Sequence, residues 1–198
     1  LIGRLAIGRH VREPDGDQSG DGRLIVRICA RDVHAFEELY HRYHARLTRF
    51  LLHIVHQPHI VEEVLNDTMM AVWEKPASYR GASRLSTWIF AIAYHKAMKA
   101  LRRRDDPVED IQAENRASEE ETPDEHLNRT RVGQSLQQAM EQLSVDHRTV
   151  VDLTYFHQMG YREIAEIMGC PVDTIKTRMF HARRHLRRLL AGEPADWL

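Results

Sequence analysis

Apolar residues recur along this chain at three- and four-residue steps, the spacing that puts them on one face of a helix. In DVHAFEELYHRYHARLTRFLLHIV, Phe36, Leu39, Tyr40, Tyr43, Leu47, Phe50, Leu51 and Ile54 form such a face, and Asp32 stands where an N-cap belongs. After Pro58 a second helix is expected, with Ile60, Val61, Val64, Leu65, Thr68, Met69 and Val72 inward and Glu62, Glu63, Asn66 and Asp67 outward; Pro76 closes it. Beyond the turn-like YRGAS, the run RLSTWIFAIAYHKAMKALRRR sets Leu85, Trp88, Ile89, Ile92, Ala93 and Ala100 on one side of a third helix. No stretch alternates with the period of two that marks a strand. The expected fold class is all-α, two small helical domains on a flexible tether.

The C-terminal segment YREIAEIMGCPVDTIKTRMFHARRHLRRLL adds a more specific pattern. Tyr161 to Met168 reads as a short amphipathic helix with Ile164, Ala165 and Met168 inward, stopped by Gly169, which accepts a left-handed backbone. A second helix is expected after it, with Cys170 as N-cap, Pro171 in the first turn and Asp173 at the positive end of the dipole. Two helices so joined are a helix-turn-helix. On the second, Ile175, Met179, Ala182 and Leu186 share a stripe, with Thr177, His181, Arg184 and Arg188 roughly opposite. Thr and His on such a face can meet base edges while Lys176 and the arginines neutralise phosphates. By itself the pattern fits a solvated basic helix end equally well.

Charge changes the picture once it is divided along the chain. The 198 residues carry a net charge of -1, but residues 105–126 hold ten acidic side chains against the single Arg116. The flanks are mildly basic: residues 1–104 have seventeen Lys and Arg against eleven Asp and Glu, and residues 127–198 ten against eight. The acidic segment lacks apolar periodicity and aromatics, so it is expected to be a disordered linker. The Asp- and Gly-rich stretch from Arg12 to Arg23 is expected to fray, with ordered chain from about Leu24. The expected divisions are therefore 1–23 disordered, 24–104 the first domain, 105–126 linker, 127–191 the helix-turn-helix domain and 192–198 a tail.

Several chemistries are not expected. Cys29 and Cys170 form no CxxC pair, and no apolar run nears the roughly 18 residues of a membrane span, so a soluble cytoplasmic protein without membrane insertion is expected. There is no P-loop, HExxH or GxSxG, which argues against an enzyme. Thirteen histidines include His53, His56 and His59, His41 and His44, and His181 and His185 at close spacing. Pro58 interrupts the first cluster and no Cys or carboxylate completes a tetrahedral set, so neither a metal nor another cofactor is expected.

The stretch LSVDHRTVVDLTYFHQMGYREIAEIMGCPVDTIKTRMFHARRHLRRLL resembles the C-terminal DNA-reading domain of bacterial RNA polymerase sigma factors of the extracytoplasmic-function group. AFEELYHRYHARLTRFL, VEEVLNDTMMAVWEK and YRGASRLSTWIFAIAYHKAMKALRR resemble successive segments of that family's promoter-melting domain, in the family's order. The large domain between these two in other sigma factors has no counterpart. The resemblance implies a non-enzymatic factor that binds core RNA polymerase and promoter DNA and is held by an anti-sigma factor. It assigns Glu63, Asn66 and Asp67 to polymerase binding. It assigns Tyr79, Arg80, Trp88, Tyr94, His95 and Lys99 to the melted minus-ten element, where aromatics and cations suit unpaired bases. For the minus-thirty-five element it implies Lys176, Thr177, Arg178, His181, Arg184 and Arg188. His95 stands where many relatives have Asn, His181 where Arg is frequent, and Met69 where Phe is more usual. Another helix-turn-helix regulator, or a helical adaptor that binds only protein, are the alternatives from the residues alone.

Overall fold

The computed structural model describes residues 16–105 and 131–190, and among these there are helices, turns and no strand. The first domain comprises α1 (Gly16–Cys29), α2 (Val33–Val55), α3 (Pro58–Glu74), a single 3-10 turn at Pro76–Ser78, and α4 (Leu85–Asp105). The second comprises α5 (Arg131–Glu141), α6 (Val145–Tyr155), α7 (Tyr161–Met168) and α8 (Val172–Leu190). The expected linker lies almost wholly outside the described residues, as do residues 1–15 and the expected tail.

Local chemistry sets the helix ends. Asp32 caps α2 by accepting from the Ala35 amide at 3.2 Å, and the Arg27 guanidinium holds its carboxyl below the ordinary value. His56 ends that helix in a left-handed conformation, and Pro58 opens the next. The Glu163 carboxylate turns back to accept from the Gly160 amide at 2.9 Å at the start of α7. Gly169 ends α7 at φ 62°, which leaves the tight turn into α8. The Pro171 carbonyl accepts the first bonds of α8 from Thr174 and Ile175, so the helix starts one residue later than expected, and Cys170 does not act as its cap.

Two features depart from the expected layout. Helix α1 starts at Gly16, eight positions before Leu24, because Asp21 anchors it: this carboxylate, only 6% exposed, accepts from Tyr43 Oη at 2.5 Å and Arg42 Nη1 at 2.7 Å. The second departure is α4. Phe90, Tyr94 and Ala97 are buried as well as Leu85, Ile89 and Ala93, so apolar contact runs round most of the helix. The reason is that α4 packs on α2 and α3 with one side and on α7 of the second domain with the other. Helix α6 likewise packs on α2. The two domains are thus in contact along two seams, whereas the sequence suggested bundles that meet only through a tether. His157 reaches across one seam, its ring centroid 4.8 Å from Phe90 and 5.8 Å from Phe50.

Candidate polymerase and nucleic-acid interfaces

Helix α8 carries the first candidate surface. Ile175, Met179 and Ala182 are buried, and the opposite side leaves Lys176, Thr177, His181, Arg184 and Arg188 exposed. Thr177 bonds back to the Asp173 carbonyl at 2.9 Å, Lys176 Nζ lies 2.8 Å from Asp173 Oδ1, and Arg188 Nη2 lies 3.1 Å from His185 Nδ1. These exposed pairs cost little to break in favour of a phosphate or a base edge. Arg178 is different. Its guanidinium pairs with Asp146 at 2.5 Å and donates to Cys170 Sγ at 3.6 Å, so it braces the domain instead of joining the exposed face. Phe180, 63% exposed, does join that face beside His181. Helical spacing did not single it out, although a large apolar residue outside the buried stripe was the available signal. An exposed ring there can meet a thymine methyl group.

The second surface is the loop before α4 and the helix itself. Tyr79 and Trp88 pack ring on ring with centroids 5.5 Å apart, both partly buried, and the Tyr79 hydroxyl donates to the Ser83 carbonyl at 2.7 Å. Burial, with Asp21 and Glu166 nearby, raises the Tyr79 phenol above its ordinary value. Arg80, His95 and Lys99 are exposed. Tyr94 is only 6% exposed; its hydroxyl donates to Asp146 Oδ1 at 3.4 Å, and burial and that carboxylate push the phenol up to about 12. It faces the second domain, and Gly169 also lies close enough to His95 that a Cβ there would touch the ring at 3.7 Å. Tyr94 therefore cannot meet DNA in this arrangement, and sequence spacing alone could not have shown that.

The third surface is the outer side of α3, where Glu63, Asn66 and Asp67 are exposed. Val61, Val64, Leu65, Thr68 and Met69 fill the inner side, which is why the carboxylates point away from the core. Asp67 Oδ2 lies 3.2 Å from Lys96 of α4. A basic partner can displace this half-exposed contact with charge-assisted bonds of its own.

A groove of about 890 Å³ opens between α2, α5 and α6, with Leu52, Leu136, Met140 and Phe156 among its apolar walls and His44, Arg49 and His53 among its polar ones. Among the described residues no group of three or more His, Cys, Asp or Glu is placed to hold a metal ion. No described helix is long and apolar enough to cross a membrane.

Comparison with known proteins accounts for both halves. Residues 39–106 match sigma-70 region 2, and residues 133–186 match sigma-70 region 4. The RNA polymerase sigma-H factor of Pseudomonas aeruginosa is 28% identical over 183 residues, covering 87% of this chain and 95% of that protein. The ECF RNA polymerase sigma-E factor of Haemophilus influenzae is 29% identical over 177 residues, 84% of this chain and 93% of its own. Among solved structures, CnrH in complex with the cytosolic domain of CnrY has the same fold, with a TM-score of 0.64 at 22% identity over 87% of this chain and 98% of that one. The sigma factor RpoE of Bartonella quintana, solved with the anti-sigma factor NepR, gives 0.60 at 23% identity over 80% and 98%. Both sigma-70 regions, in their order and each on its own helical domain, make this chain a member of the sigma-70 family in its extracytoplasmic-function group.

Proposed function

We propose that the chain binds core RNA polymerase through the α3 face, reads the minus-thirty-five element with α8, and holds the melted minus-ten strand at the loop before α4. The division into the α1–α4 domain and the α5–α8 domain serves these two tasks. The observation that carries the reading is the exposed row Thr177, His181, Arg184 and Arg188 on the second helix of a helix-turn-helix, with Phe180 alongside. On the first domain, Tyr79 and Trp88 offer stacking surface next to Arg80, and Lys99 supplies positive charge further along α4. Catalysis belongs to the polymerase. The protein acts in the cytoplasm, where polymerase and DNA are. An anti-sigma factor is a further partner: the Bartonella RpoE structure holds one, and the open groove beside α5 offers apolar walls with Arg49, Arg148 and Glu141 among its polar lining.

Base readout and backbone anchoring separate along α8, since the N-terminal residues of a recognition helix reach base edges and later ones meet phosphates. Thr177→Ala and His181→Ala are expected to change preference at individual upstream-element positions, by about 1 to 3 kcal/mol for each good base contact removed. Arg188→Ala is expected to weaken all sequences alike and to reduce the salt slope by about one unit. Transcription from a library randomised in the upstream element measures both. A shift in base preference from Arg188→Ala, with none from the other two, would require a different docking of the helix.

A further inference from the structure

Histidines from two helices meet at the edge of the exposed side of α8. His147 stands in the first turn of α6, and its ring centroid lies 6.3 Å from that of His181 on α8. His185 follows one turn further along α8, where its Nδ1 accepts from Arg188 Nη2 at 3.1 Å. His181 is exposed, and His147 and His185 are half-buried beside it.

The charges around this cluster are mostly positive. Arg178 lies near His147, and Arg184 and Arg188 stand exposed within one turn of His181 and His185. The carboxylate next to His147, Asp146, is already engaged: Arg178 pairs with it at 2.5 Å, and the Tyr94 hydroxyl of α4 donates to it at 3.4 Å. The other elements packed on α6 and α8 turn their charges elsewhere. His53 of α2 faces Asp152, Glu141 of α5 lies near Arg148, and Glu163 of α7 faces Thr87 and Arg84. Burial, then the neighbouring His181, holds the His147 imidazole below the ordinary histidine value; Asp146 opposes them, and Arg178 and His185 add to them.

A guanidinium can only donate, so His185 Nδ1 carries no proton while Arg188 bonds to it. Protonation of His185 ends that bond and sets one cation against another, which frees Arg188 for a phosphate. A DNA backbone supplies what the cluster lacks, a row of anions that offsets several cations at once. We propose that His147 and His185, together with His181, form a phosphate-binding clamp beside the upstream-element surface that takes up protons from solvent as DNA binds. Affinity for promoter DNA then rises as the pH falls through about 8 to 6, where free imidazoles are largely neutral and phosphate-bound ones are protonated. The proposal rests on the reading that α8 holds the upstream element.

The test uses core RNA polymerase reconstituted with the full chain, and a labelled promoter duplex enriched from a randomised library, titrated at fixed salt from about pH 8 to about pH 6. Each variant's affinity is divided by that of wild type at the same pH, which removes any pH dependence of the polymerase itself. The double variant His147→Gln, His185→Gln should bind about 5- to 50-fold more weakly than wild type at about pH 6 and within about twofold of it at about pH 8, since an imidazole whose proton affinity rises by about one unit on binding contributes up to about tenfold. His185→Lys, charged throughout that range, should exceed wild type at the higher pH and match it at the lower. His34→Gln, exposed on α2 far along the chain from the clamp, should give a ratio near one at every pH. Circular dichroism confirms that each variant is helical, and where the double variant is not, His185→Gln decides the matter alone. A ratio that does not change with pH, or one that changes equally for His34→Gln, overturns the proposal and leaves the reading of α8 in place. Wild-type holoenzyme that binds the duplex no better than core polymerase alone at any pH overturns both.

Discussion

Replacing Glu63 and Asp67 together by lysine is expected to abolish capture of core RNA polymerase. Both side chains are exposed on α3, so neither supports the core beneath them, and helical content should be unchanged. The folded-state loss is limited to the half-exposed contact between Asp67 and Lys96, an interaction of the class worth about 0 to 1 kcal/mol. On the proposed reading, the same carboxylates would be desolvated against a basic partner in the complex. Removing one member of such an interfacial pair costs about 2 to 5 kcal/mol, and reversing its charge adds repulsion. Two reversals thus remove the several powers of ten in affinity that separate capture from none. Co-purification with core polymerase, alongside circular dichroism, measures both sides of the claim. Undiminished capture by the double variant would move the polymerase contact away from α3.

Phe90→Ala is expected to be the most damaging single truncation for the fold. The ring has no exposed surface and packs against Phe50 at 5.1 Å, His157 at 4.8 Å and the Arg46 guanidinium at 5.6 Å. These neighbours come from α2 and from the second domain, so a cavity at this point loosens both. The expected loss is about 3 to 5 kcal/mol in denaturant unfolding. Phe180→Ala provides the contrast: that ring is exposed, and its removal should change stability by no more than about 0.5 kcal/mol. Equal losses from the two substitutions would mean that the packing around Phe90 is not what holds the domains.

The sequence was most legible where burial is one-sided. Helices α2 and α3 show it well: Leu39, Tyr43, Leu47, Phe50 and Ile54 lie at helical spacing and are buried, and the outward residues named from α3 are exposed. The helix-turn-helix was legible for the same reason, with Gly169 marking the turn. Groups matched at long range were not. Asp21 looks like part of a polar, fraying stretch until Tyr43 and Arg42 are placed beside it. Tyr94 and Arg178 have the chemistry of DNA contacts, yet both bond to Asp146, and no local periodicity announces a shared partner on a third helix. His53 and Asp152 are 99 positions apart, and only the packing of α2 on α6 brings them together. The separation into two domains could be read from the acidic segment, but their contact could not, because the signal for it was the extra apolar surface on a helix already assigned to one core.

Transcription by core RNA polymerase reconstituted with this chain, on a template library randomised across the upstream and downstream promoter elements, tests the central claim most directly. The account predicts transcripts that depend on the added chain and enrich two short sequence blocks roughly 25 base pairs apart, one about a helical turn or less in length for α8 and one for the melted strand. Transcription no greater than with core polymerase alone, or transcripts with neither block enriched, would contradict it.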